Sequence, residues 1–194
     1  MKLKDIFNNQ KTLFIFMFVL VCLTANSQEQ TRSKVTLGLD LTPFIYNGFS
    51  AKVGIIPKLY PRLAIELEVF SINIPESVIN LNEANANNNW VEKVQPGIVL
   101  YADRKLSENK NSFWLGGGVA YLNHNAKNTI ENNQYQQLEY LLRINYKWFP
   151  FVDKGFFLNP YCALAYRHKV SGDNGGYNLS QVLIIPSFYA SWEL

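Results

Sequence analysis

The stretch VLIIPSFYASWEL, residues 182–194, decides the fold of this chain. Its alternate residues are all apolar, and they are Val182, Ile184, Pro186, Phe188, Ala190, Trp192 and Leu194. The residues between them become more polar toward the end of the chain. A period of two is typical of a β-strand with one apolar face. Because such a strand needs a partner, we expect it to pair with residues 33–42 and close a barrel.

The same alternation recurs seven times before this stretch. It is clearest in residues 62–69, where the apolar residues alternate with Arg62, Ala64, Glu66 and Glu68. A helix would distribute the three charges around its circumference, whereas a strand places them on one side. The sequence therefore predicts an all-β, eight-stranded antiparallel up-and-down transmembrane β-barrel, with strands at 33–42, 49–55, 62–69, 90–103, 112–123, 137–148, 156–167 and 182–194.

The first residues have the pattern of a cleaved signal peptide. Lys2, Lys4 and Lys11 form a positive region, an apolar run covers 13–23, and Ala25-Asn26-Ser27 fits a signal-peptidase site. The apolar run is too short for an ordinary membrane helix. We therefore expect residues 1–27 to be removed and residues 28–194 to form one outer-membrane barrel domain.

The composition of the remaining chain excludes several classes of function. Removing three lysines and Asp5 with the signal lowers the formal net charge from +3 to +1, so no basic excess indicates nucleic-acid binding. Only Cys162 is left, which excludes an intramolecular disulfide. No later apolar run is as long as a membrane helix, and the 14% of aromatic residues favours strands that cross a membrane.

Loop lengths predict the orientation of the barrel. With the N-terminus in the periplasm, the outer connections are 43–48, 72–89, 124–134 and 169–178, and the periplasmic turns are 57–61, 104–111 and 149–154. Aromatic residues should form belts at the two interfaces. The predicted periplasmic belt is Tyr60, Tyr101, Phe113, Trp148, Phe156 and Trp192, and the outer belt is Phe49, Trp90, Tyr121, Tyr140 and Tyr166.

The second face of the strands carries opposing charges. The interior of an eight-stranded barrel is only just filled by side chains, and charges there must be paired. We therefore predict a packed ionic and hydrogen-bonded plug, with a structural role, made of Asp40, Lys52, Arg62, Glu66, Glu68, Lys93, Glu139, Arg143 and Arg167.

This pattern resembles the small outer-membrane β-barrels of the OmpX and OmpA-transmembrane type. The resemblance covers residues 33–194 and depends on the signal, the eight alternating segments, the loop asymmetry and the amphipathic last strand. It implies a location in the outer membrane, with outer-membrane lipids and the barrel-assembly machinery as partners. Members of this family usually end in Phe or Trp, whereas this chain has Leu194, with Trp192 two positions earlier.

Candidate chemistry is sparse, and we predict no catalytic residue, metal site or cofactor. His124 and His168 lie near outer loops, where Ser180 faces His168 across a predicted hairpin in the manner of lipid A-trimming barrel enzymes. We expect both histidines to be solvated. Glu66 and Glu68 fit a salt-bridge lattice as well as an acid–base pair. The glycines at 116–118 lack the strand-to-helix setting of a phosphate loop but allow a close neighbour.

Three functions remain open. The first is a non-enzymatic outer-membrane barrel that displays the loops 72–89, 124–134 and 169–178 for envelope integrity, adhesion or surface binding. The second is a lipid-modifying enzyme that uses His124 or His168, and the third is a soluble barrel resembling lipocalins. The asparagine-rich run 82–89 is expected to be a solvated loop. Bulges are predicted at Pro96, Pro160 and Pro186, because proline removes a ladder hydrogen bond.

Overall fold

The computed structural model describes residues 32–86, 88–151 and 154–194, so the predicted signal peptide lies outside the described residues. The described residues form eight strands, which close in chain order into an antiparallel barrel. The predicted fold class is confirmed. The strands are β1 (Lys34–Asp40), β2 (Phe49–Ile56), β3 (Leu63–Ile74), β4 (Val91–Lys105), β5 (Ser112–Lys127), β6 (Asn132–Lys147), β7 (Phe156–Gly172) and β8 (Val182–Glu193).

Two short helices, α1 (Leu41–Ile45) and α2 (Glu76–Ile79), lie in the connections after β1 and β3. Asp40 caps α1, since its Oδ1 accepts a hydrogen bond of 2.9 Å from the backbone N–H of Thr42. No helix within the described residues is both long enough and apolar enough to cross a membrane. We call the end of the barrel with these helices the loop end, and the opposite end the terminal end.

The barrel closes between β1 and β8, as the terminal strand predicted. Leu37 pairs with Trp192 and Asp40 pairs with Tyr189. The backbone N–H of Leu194 adds a hydrogen bond of 2.8 Å to the carbonyl of Val35. The first and last strands therefore satisfy each other's backbone groups along this seam, where an open sheet would have two edges.

The outward face of the middle of the barrel is apolar and exposed. Leu37, Leu100 and Leu142 are 47%, 53% and 44% exposed, on three different strands. On β6 the apolar outward residues cover 138–146, which matches the roughly 9–11 residues of a tilted membrane strand. Exposed rings lie at both margins of this belt, with Phe49, Tyr121, Tyr140 and Tyr166 toward the loop end and Tyr60, Phe113, Trp148 and Trp192 toward the terminal end.

Two aromatic residues predicted for the belts lie inside the barrel instead. Trp90 and Tyr101 are both buried. Tyr101 lies on an inward position of β4, and its ring occupies the space beside Gly118, where a Cβ would lie 2.6 Å from a ring carbon. The glycine run therefore provides the close approach that was expected of it.

A β-bulge in β4 explains the most consequential error. The register between β4 and β5 shifts between Val94 and Gly97, so the predicted bulge at Pro96 is present. An extra residue in a strand exchanges its two faces beyond the bulge. Glu92 is consequently buried inside the barrel, and Lys93, which strict alternation assigned to the interior, lies on the outward face.

The other two prolines have no bulge, contrary to the prediction. Pro160 lies opposite a gap in the ladder between β6 and β7, at residues 145–148 of β6. Pro186 is paired with β7 but lies beyond Tyr189, where the pairing of β8 with β1 ends. Each proline thus borders an interrupted ladder, where its missing N–H removes no bond.

Several strands extend well beyond the apolar belt at the loop end. β5 continues to Lys127 and β6 begins at Asn132, so the predicted loop 124–134 is reduced to 128–131. Likewise β7 extends to Gly172, into the predicted loop 169–178. The outward residues of these extensions are polar, and the alternation that marks a lipid-facing strand stops although the strand does not.

Register shifts lie at one common level of the barrel. Phe70, Gly97, Leu122 and Gln137 form a continuous cross-strand row. Just above this row the register shifts in the pairs β3–β4, β4–β5 and β6–β7. We call this row the bulge level, because the strands bend there and the outward face changes from apolar to polar.

Candidate functional site at the loop end

The lower interior contains a dense ionic network. Arg143 is its centre: Nε donates hydrogen bonds of 3.0 Å to both carboxylate oxygens of Asp103, and Nη2 contacts Glu66. Lys52 and Lys147 each place Nζ 3.2 Å from an oxygen of Glu66. Because two acids face three bases here, every buried charge of this group has an opposite charge in contact.

A second set of predicted residues lies next to this network. Glu68 accepts hydrogen bonds from the hydroxyls of Ser50 (2.7 Å) and Tyr189 (2.6 Å). Asp40 accepts one of 3.2 Å from the Tyr161 hydroxyl. The structure thus brings together five of the predicted interior residues, Asp40, Lys52, Glu66, Glu68 and Arg143, all of them buried.

The remaining predicted charges lie apart from this network. Arg167 and Glu139 form their own pair, with 2.7 Å between Nε and Oε1. They lie nearer the loop end, and Leu141 separates Glu139 from Arg143 along β6 as part of an apolar cluster. Arg62 is not in the plug, because it contacts Glu108 in the turn at the terminal end. The interior is therefore layered, and it is not one continuous ionic plug.

Sequence reasoning missed two members of the ionic network. Asp103 and Lys147 are buried, and both lie on inward positions of strands whose alternation was correctly identified. Extending the inward face by one more residue on β4, and by two on β6 beyond Arg143, would have found both.

The most constructed polar site lies above the apolar cluster, at the loop end. The carboxylate of Glu92 is 2.7 Å from Nδ1 of His124 and accepts a hydrogen bond of 2.7 Å from the Tyr177 hydroxyl. The hydroxyl of Tyr135 also donates to Glu92. All four side chains are buried. We call Glu92, His124, Tyr135 and Tyr177 the Glu92 cluster.

His124 is not the solvated histidine that its position near a loop predicted. Its side chain is only 3% exposed as part of β5, and its ring stacks on Tyr135 with 4.6 Å between centroids. Nε2 is buried and has no hydrogen-bond partner within the described residues. His168, by contrast, lies exposed on β7. Ser180, its suggested partner, is 3.5 Å from Nδ2 of Asn82.

Electrostatics keep Glu92 ionised. Burial by itself would raise the pKa of this carboxyl, but the hydrogen bond and positive charge of His124 and the two tyrosine hydroxyls lower the pKa to about 2. Burial and the adjacent carboxylate raise the pKa of Tyr135 and of Tyr177, so both hydroxyls stay protonated as donors. The cluster is therefore an anion held by three donors, and it connects β4, β5, β6 and the connection 173–181.

Two connections close the loop end over this cluster. The ring of Tyr177 packs edge-on against Trp90 at 5.3 Å between centroids. The amide of Asn85 pairs with the backbone of residue 178, donating to its carbonyl and accepting from its N–H, both at 2.8 Å. The asparagine-rich segment is therefore packed, not simply solvated as predicted. We call the connections 75–90 and 173–181, within the described residues, the outer cap.

Comparisons with known proteins add one fold similarity. No family model and no curated protein match this chain. The solved structure of a major outer membrane protein from Thermus thermophilus is similar with a TM-score of 0.47 and 12% identity, over 84% of this chain and 98% of that one. Eight paired strands, the closed seam and the apolar outward belt define the architecture of the small eight-stranded outer-membrane β-barrels.

Proposed function

We propose that this protein is a non-enzymatic, integral outer-membrane barrel that presents the outer cap and the β5–β6 hairpin at the cell surface. The observation that supports this most strongly is the continuous belt of exposed apolar side chains around the middle of the barrel. Water-exposed apolar patches on monomeric soluble proteins rarely exceed a few hundred Å². A lipid bilayer removes that cost, and the aromatic margins of the belt match the two interfaces.

The filled interior supports a structural role and not a conducting one. The ionic network around Arg143 and the apolar cluster of Val99, Leu122 and Leu141 occupy successive layers of the barrel. The outer cap closes the loop end, while Trp114 and Phe149 are buried toward the terminal end. This barrel is thus a rigid wall whose variable surface is its loops.

The observed faces argue against the soluble, lipocalin-like alternative. Such a barrel needs an apolar interior and a polar exterior, whereas here Glu66, Asp103 and Arg143 are buried inside and leucines face outward. The enzyme alternative lacks a nucleophile, since Nε2 of His124 contacts no serine, threonine or cysteine among the described residues. Mass spectrometry of lipid A from strains with His124→Ala or His168→Ala should show the wild-type profile.

Surface accessibility tests the proposed orientation. An epitope inserted in the tip 128–131 should bind antibody on intact cells, because this hairpin extends beyond the bulge level. The same epitope in the turn 106–111, at the terminal end, is the matched control and should bind antibody only after the envelope is opened. Antibody binding to both tags on intact cells, or to the control tag alone, would contradict the proposal.

A further inference from the structure

Above the bulge level, the outward faces of β3 to β7 form a cleft with a volume of about 810 Å³. It faces away from the barrel axis and does not connect with the Glu92 carboxylate, which points inward. The lining side chains are mainly amides and lysines and include no carboxylate. This composition differs from that of the same strands below the bulge level, where the outward residues are apolar.

The register arranges these side chains in rows. Asn73 pairs with Lys93, Lys93 with Asn125, and Asn125 with Gln134, so one row crosses four strands. With strands about 4.8 Å apart, this row is roughly 14 Å long. Such a row of planar amides, with donors and acceptors side by side, suits the many hydroxyls of a carbohydrate better than an apolar ligand.

Shorter rows lie on either side. On the side of the membrane belt, Asn123 pairs with Gln136, whose Oε1 accepts a hydrogen bond of 2.6 Å from the Ser171 hydroxyl. On the side of the hairpin tip, Lys127 pairs with Asn132. The polar face is therefore at least three residues deep along the strands and continuous from β4 to β6.

The charge of the cleft is positive and uncompensated. Neither Lys93 nor Lys127 lies within ion-pair distance of a carboxylate among the described residues. The acid that adjoins Lys93 in sequence, Glu92, is directed inward and is already bound by three donors. Two ammonium groups amid neutral amides therefore favour an anionic ligand.

The position of the cleft indicates where that ligand resides. Asn123 follows Tyr121, a ring at the outer margin of the belt, by two residues on β5, and Lys127 follows it by six. At about 3.4 Å per residue, the cleft begins within roughly 7 Å of the apolar belt and extends to about 20 Å from it along the strand. This is the zone of lipid headgroups next to the hydrocarbon.

We propose that this cleft binds the phosphorylated or carboxylated oligosaccharide headgroup of an outer-leaflet glycolipid. Lys93 and Lys127 contact the anionic groups, and the amides of Asn73, Asn125 and Gln134 contact the sugar hydroxyls. The inference rests on the proposed membrane location, but the binding step itself is measurable on refolded protein in detergent.

The test is a calorimetric titration of the refolded full barrel in zwitterionic detergent with deacylated, phosphorylated core oligosaccharide of lipopolysaccharide. Lys93→Gln combined with Lys127→Gln should weaken binding about tenfold. Lys58→Gln combined with Lys110→Gln removes the same charge from turns at the terminal end and should leave the affinity unchanged. The dephosphorylated oligosaccharide should bind the unmodified protein about as weakly as the phosphorylated one binds the cleft variant.

Further arms separate sugar from charge and lipid from free sugar. Asn125→Ala combined with Gln134→Ala should weaken binding of the oligosaccharide but not of inorganic pyrophosphate. Intact lipopolysaccharide in nanodiscs should show the same dependence on Lys93 and Lys127 as the free oligosaccharide. Equal losses in both lysine pairs, or equal binding with and without phosphate, would overturn the proposal, and binding of the free sugar alone would overturn the headgroup assignment. Failure of the barrel to enter a bilayer is a separate result, which would refute the proposed function instead.

Discussion

The carboxylate of Glu92 on β4 and the hydroxyl of Tyr177 in the outer cap are joined by a buried hydrogen bond of 2.7 Å. This bond connects a mobile type of element, a surface connection, to the rigid wall of the barrel. Because Glu92 is ionised, the bond is charge-assisted and stronger than a neutral one. The closed state of the loop end therefore depends on one buried anion.

Removing the Tyr177 hydroxyl should loosen the cap locally. Tyr177→Phe leaves the packing on Trp90 but deletes a donor to a charged group, at a cost of about 1.5–3 kcal/mol. Hydrogen exchange should become faster in 173–181 while β2 to β6 stay protected. Tyr166→Phe, which changes an exposed ring on the outward face, is the matched control and should not alter exchange in the cap. Unchanged exchange in Tyr177→Phe would show that the bond does not hold the cap.

The cap should also respond to acid. The pKa of Glu92 is lowered from 4.5 to about 2, so its stabilising contribution is complete above pH 4.5 and is lost as the pH falls toward 2. The loss is on the order of 3 kcal/mol. Fluorescence of Trp90, in a variant with the other three tryptophans replaced by Phe, should report opening in this window.

Glu92→Gln separates this effect from general acid unfolding. The charged groups nearest Glu92 are His124 and Arg167, and the variant retains both. The variant should lack the transition between pH 4.5 and 2 and have a less stable cap at neutral pH. An identical acid transition in the variant would assign the titration to another group.

Arg143 should contribute strongly to barrel stability. Arg143→Met leaves the carboxylates of Asp103 and Glu66 buried without their guanidinium partner, which typically costs about 3–5 kcal/mol. Unfolding in urea from detergent micelles measures the change. Arg62→Met is the control, since its partly exposed pair with Glu108 should be worth less than about 1 kcal/mol. Equal effects of the two substitutions would contradict the placement of Arg143 at the centre of the ionic network.

A charge on the lipid face should weaken membrane insertion. Leu100→Arg places a cation in the middle of the apolar belt, where the expected cost is about 2–4 kcal/mol. The folded fraction in phospholipid vesicles should fall accordingly. Leu81→Arg alters an exposed leucine of the outer cap, at 76% exposure, and should insert normally. Equal insertion of both variants would mean that the belt does not face lipid.

Alternation alone predicted the strands, the seam and much of the interior, because a period of two is a direct consequence of the pleat. It failed where the pleat is interrupted. One bulge moved Lys93 outward and Glu92 inward, and only the proline in β4 signalled it. The layered interior was also missed, since the apolar and charged inward residues of β6 follow one another without any mark in the sequence.

The Glu92 cluster was not predictable from the sequence. Its four residues come from positions far apart in the chain, and the direction of Glu92 depends on the bulge. His124 looked solvated because its neighbours are polar, although the strand continues through them. The outer cap depends on asparagine contacts between two connections, such as Asn85 with residue 178, and such contacts have no sequence period.

Gel migration of the membrane-bound protein tests the central claim most directly. Membrane fractions washed with salt should retain the protein, and an unboiled sample should migrate differently from a boiled one, because a closed barrel stays folded in detergent. Release by the salt wash, together with identical migration before and after boiling, would contradict an integral membrane barrel.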